Sequence, residues 1–79
     1  MYRWIQPEKD RYYQAHLVED LFGDWTLVAC WGDLHSRRSQ VRKTGVSSYA
    51  AGLERLKAID RRRRQSGYRL VQESPERIN

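Results

Sequence analysis

The hydrophobic pattern of this chain changes period at Ser47-Ser48, and that switch limits the architectures open to it. Upstream the apolar residues alternate. Tyr13, Ala15 and Leu17 share one parity of residues 12–19, and Trp25, Leu27, Ala29 and Trp31 share one parity of residues 25–31. A period of two belongs to strands. Downstream, Tyr49, Leu53, Leu56 and Ile59 recur at helical spacing among the good helix formers Ala50, Ala51 and Ala58. Either serine can cap the helix by accepting a backbone N–H bond, and Gly67 is placed to end it in the left-handed conformation. The pattern predicts a helix over 49–66. Gly52 costs such a helix roughly 1 kcal/mol relative to alanine, which predicts a large side chain of the sheet lying close to the helix backbone.

The remaining segments complete a small sheet. Residues 2–6 read as a first strand, ended by Pro7 and the charged turn Glu8-Lys9-Asp10. Asp20-Leu21-Phe22-Gly23-Asp24 supplies a hairpin turn, with Gly23 free to take positive φ. In residues 25–31 both parities are apolar enough to be covered, which predicts a central strand interrupted by Gly32. Residues 41–46 read as a basic fourth strand, with Arg42 and Thr44 facing away from Val41, Lys43 and Gly45. After the helix, Tyr68, Leu70 and Val71 return an apolar edge to the body. The expected fold is α+β, a small antiparallel β-sheet with one α-helix packed on one face. Residues 1–71 form the domain, and the polar residues 72–79, with Pro75, form a flexible C-terminal tail.

Composition narrows the function. Seventy-nine residues make one domain near the lower size limit for a metal-free, disulfide-free core. Only 39% of residues are hydrophobic, so three Trp, five Tyr and one Phe must carry much of the buried surface. Cys30 is the sole cysteine, excluding an intrachain disulfide. Its apolar surroundings predict a buried, inert thiol in an intracellular protein. No apolar run reaches signal-peptide or membrane-span length, and the expected location is cytoplasmic. The net charge of +5, carried mainly by arginine, favours a polyanionic partner.

The chemistry concentrates after residue 28. Ala29-Cys30-Trp31-Gly32-Asp33-Leu34 runs directly into His35-Ser36-Arg37-Arg38-Ser39-Gln40-Val41-Arg42-Lys43. Trp31 and Gly32, closing an apolar strand, put a flat aromatic face beside Arg37, Arg38, Arg42 and Lys43. That arrangement suits base or sugar stacking with phosphate contacts. A core role for Trp31, on the parity of Trp25, is the other reading, as is a solvated charged edge for the basic residues. Trp4 and Trp25 are assigned to the core. In Arg61-Arg62-Arg63-Arg64 the cations complement the helix dipole by about 0.3–1 kcal/mol. Arg63 extends the Leu56 and Ile59 stripe, leaving Arg61, Arg62 and Arg64 for phosphates or an acidic partner.

The order of these elements resembles the WGR domain of poly(ADP-ribose) polymerases and of bacterial proteins similar to the molybdate metabolism regulator. Trp31-Gly32, Ser48 with Leu53 and Leu56, and Arg62-Arg63-Arg64-Gln65-Ser66-Gly67-Tyr68 carry the likeness, which runs from about Arg3 to Val71. The resemblance implies a stand-alone nucleic-acid-binding module, with DNA the expected ligand, whose tryptophan lies against a nucleic-acid end. Asp33 stands where the family has its arginine, and His35 and Ser39 stand where it has glycines. The Asp33 carboxylate repels phosphate, whereas Arg37 and Arg38 in the same loop offer replacement charge.

No catalytic set is evident. His16, His35 and Cys30 lack metal-ligand spacing, and Asp33 with His35 reads as a surface hydrogen-bonding pair. The chain is expected to be a binder without cofactor, metal or membrane anchor, and not an enzyme. A protein-interaction or oligomerisation module docking an acidic partner is the alternative, which Asp33 favours.

Overall fold

The computed structural model describes residues 1–74. The chain runs β1 (Tyr2–Gln6), a 3-10 turn (Pro7–Lys9), β2 (Arg11–Glu19), β3 (Trp25–Asp33), β4 (Ser39–Val46), α1 (Tyr49–Gln65) and β5 (Arg69–Glu73). The strands form one antiparallel sheet in the order β4-β3-β2-β1-β5. The first four make a meander. The fifth pairs with β1 at the far edge, so α1 must carry the chain across the whole sheet. The α+β sheet with a single helix is the architecture expected from the change of period.

Local signals explain the boundaries. Ser48 Oγ accepts from the Ala51 N–H at 3.0 Å and caps α1. At the other end Gly67, at φ 86°, allows Tyr68 N–H to reach Arg63 O at 2.9 Å and Gly67 N–H to reach Arg64 O at 3.1 Å. This double closure satisfies two terminal carbonyls. At the β2–β3 hairpin, Asp20 Oδ1 accepts from the Phe22 and Asp24 N–H groups at 2.8 and 3.0 Å.

The core lies between α1 and one face of the sheet. Trp4, Ala15, Leu17, Trp25, Leu27 and Leu56 form its buried centre, with Tyr2, Tyr13, Tyr49, Leu53, Ile59 and Leu70 packed around it. The Gly52 expectation is met by Leu17, whose Cδ2 would lie 2.5 Å from a Cβ at that position. Trp4 is wholly buried, and its indole N–H donates to Asp60 Oδ1 at 2.8 Å.

Four expectations are corrected. Gly32 does not interrupt β3, because it pairs with Tyr12 on one side and Ser39 on the other. The helix covers only one face of β3, leaving Val28 and Cys30 half-buried on the open face. Cys30 is therefore not a buried thiol; its Sγ lies 3.7 Å from the Tyr12 hydroxyl. That contact, followed by burial, pushes the Tyr12 hydroxyl above its ordinary pKa. Gln72 and Glu73, expected in the tail, belong to β5 and pair with Arg3 and Tyr2. Residues 75–79 of that tail lie outside the described residues.

Candidate nucleic-acid interface

Strand pairing and helical phase determine where each candidate side chain points. Trp31 opposes Tyr13 on β2 and Gln40 on β4, which sets it on the helix side of the sheet. Its ring stacks on Tyr13 at a centroid distance of 5.7 Å and an interplanar angle of 10°. Tyr13 in turn meets the edge of Trp4 at 5.9 Å and lies 4.8 Å from the Arg63 guanidinium carbon. Arg63 also lies 5.2 Å from the Tyr68 ring, so it packs over aromatic surface as its stripe position suggested. Trp31 thus ends an aromatic row that begins in the core, and it remains half-buried.

The β3–β4 loop folds back beside this ring. Leu34 N–H donates to Asp10 O at 2.6 Å, Ser36 N–H to Asp33 O at 3.3 Å, and Arg38 N–H to Ser36 Oγ at 3.0 Å. These bonds shape a recess of about 700 Å3 walled by Trp31, Arg11, Asp33, Arg37 and Arg38. Gly32 is needed for the close return of the chain, since a Cβ there would lie 2.8 Å from Arg38 O. Asp33 faces Arg11, with Nε to Oδ1 at 3.8 Å, so a neighbouring cation partly offsets its repulsion of phosphate. His35 pairs with Asp10 at 3.6 Å rather than with Asp33.

No family model, curated protein or solved structure matches this chain.

The predicted basic patch divides between two faces. Arg42 opposes Ala29 on the helix side, whereas Lys43 opposes Val28 on the open side. Arg42 joins Arg55 and Arg62 around a groove of about 420 Å3 between α1 and the sheet, with Tyr13 in its wall. The arginine run divides likewise. Arg62 faces this groove, while Arg64 Nε donates to both Asp60 carboxylate oxygens, at 2.9 and 3.0 Å, in a cleft lined also by Trp4 and Leu53. Arg61 is exposed and borders neither the recess nor the groove.

Arg11, Tyr13 and Arg55 were not anticipated at the interface. Arg55 stands seven residues before Arg62, a spacing that puts both on one helix face, and this was the available signal. The positions of Arg11 and Tyr13 depend on strand register. Among the described residues no group of three or more His, Cys, Asp or Glu side chains could hold a metal ion, and no helix is long and apolar enough to cross a membrane.

Proposed function

We propose that this chain is a nucleic-acid-binding module similar to a WGR domain, acting in the cytoplasm on DNA and without catalytic chemistry of its own. The observation that carries this reading is the half-buried Trp31 at the edge of a recess walled by Arg11, Arg37 and Arg38. One face of the indole rests on Tyr13, which holds it in place for a base or sugar to stack against. The guanidinium groups beside it supply phosphate contacts. No base-reading element is needed, so the binding follows the backbone more than the sequence.

The test is binding of labelled single-stranded DNA, blunt or nicked duplex DNA, and RNA across a salt series. Trp31→Ala should weaken binding by about 1–3 kcal/mol. Arg37→Ala/Arg38→Ala should reduce the log-log salt slope by about 0.9 per lost duplex contact, or about 0.7 on single strands. Absence of binding by the wild-type chain at low salt would refute the proposal.

A second reading, a protein-interaction or oligomerisation module, is favoured by a different observation. Leu21 is 99% and Phe22 89% exposed on the hairpin tip. Asp20 holds that turn in shape, and Glu19, Asp20 and Asp24 give it a charge opposite to that of the basic groove. Such a tip suits an apolar pocket with a cationic rim on a partner or on a second copy.

A further inference from the structure

The groove between α1 and the sheet is separate from the recess beside Trp31, yet the two share a wall. Tyr13 lines the groove, Trp31 lines the recess, and their rings stack on one another. Arg55, Ile59 and Arg62 reach the groove from one helix face, and Arg42 reaches it from β4. Among the described residues none of the three arginines has a carboxylate within ion-pair distance. This differs from the neighbouring cations, since Lys57 pairs with Glu54 and Arg64 with Asp60. Three guanidinium groups with no carboxylate partner among the described residues line one groove, and their summed positive potential favours an anion there.

Resting on the nucleic-acid reading, we infer that the groove holds the sugar-phosphate backbone of a single strand, which runs past Trp31 and Tyr13 and continues between Arg42, Arg55 and Arg62. The shape selects the single strand. A groove of about 420 Å3 is within the small-ligand range and accommodates about one nucleotide. A duplex presents its phosphates on a convex surface and cannot enter between a helix and the sheet beneath it. The ligand is therefore a flexible strand, bound by stacking on the face of Trp31 turned away from Tyr13 and by planar, multidentate contacts from arginine.

The experiment uses the full chain, a fluorescent oligothymidine of about fifteen nucleotides, a blunt duplex of equal length, and inorganic tripolyphosphate. Arg55→Ala/Arg62→Ala removes the helix side of the groove. Lys9→Ala/Arg69→Ala removes the same charge at two exposed positions outside both groove and recess. The expected result is single-strand binding stronger than duplex binding, weakened at least tenfold at low salt by Arg55→Ala/Arg62→Ala but less than threefold by the control. The salt slope should be shallower by about 1.4 for two lost contacts. If the wild type binds nucleic acid while the two double variants bind alike, or duplex binds as tightly as the strand, the groove assignment is overturned and the proposed function stands. Tripolyphosphate binding that depends on Arg55 and Arg62, without oligothymidine binding, reassigns the groove to a small polyanion. No binding of any nucleic acid overturns both.

Discussion

Asp60 shows how one residue joins core and surface. A wholly buried tryptophan needs an acceptor for its indole N–H, and the Asp60 carboxylate provides it while also receiving Arg64. Burial pushes the Asp60 carboxyl up, but the hydrogen bonds from Trp4 and Arg64, with the charge of Arg64, outweigh it and hold the group below its ordinary pKa. A carboxyl with a depressed folded-state pKa adds stability that is fully present above the unfolded value, about 3.9. That contribution is lost as pH falls through the folded value. Asp60→Ala should therefore cost about 1–3 kcal/mol at neutral pH, read by urea denaturation, because Trp4 loses its acceptor. Asp60→Asn, which keeps an acceptor oxygen, should cost less and should flatten the fall in stability below about pH 4. Equal losses in both variants would show that charge, not the hydrogen bond, dominates.

At the scale of elements, α1 is held by close approach. Gly52→Ala in a solvent-facing helix would stabilise by about 1 kcal/mol, but here the new methyl meets Leu17. Overpacking of this kind costs about 1–3 kcal/mol, so the expected outcome is a lower melting temperature. Combining Gly52→Ala with Leu17→Ala should destabilise by less than the sum of the single variants, since the clash is removed with the side chain that causes it. A cap at Ser47 or Ser48, the Gly67 terminator and a close approach to the helix at Gly52 are legible in the sequence, because each follows from the preference of a residue type for its local position; that Ser48 is the cap and Leu17 the approaching side chain is not. The path of β3 through Gly32 was not. An isolated glycine weakens a strand, but the ladders on both sides, in which Gly32 pairs with Tyr12 of β2 and Ser39 of β4, outweigh that local preference.

For the whole molecule, the hairpin tip and the groove stand at different places and make separable demands. Leu21 and Phe22 touch little of the fold, so Leu21→Ser/Phe22→Ser should leave stability within about 0.5 kcal/mol of wild type. If the tip docks on a second copy, sedimentation of the wild type should show concentration-dependent association that this variant abolishes. A monomeric wild type at all concentrations would exclude self-association through the tip. The period of each segment, its caps, the aromatic contribution to the core and the sign of the net charge follow from the sequence alone, because they depend on local geometry and composition. Tertiary structure decided which cations act together. Alternation separates Arg42 from Lys43, and helical phase separates Arg62 from Arg64, but each rule gives direction only relative to its own element. Packing of Gly52 on Leu17 and of Asp60 on Trp4 sets the rotation of α1 over the sheet, and that rotation brings Arg55 and Arg62 to Arg42. Contacts between residues so distant in the chain arise from packing of the whole core, which no local pattern encodes.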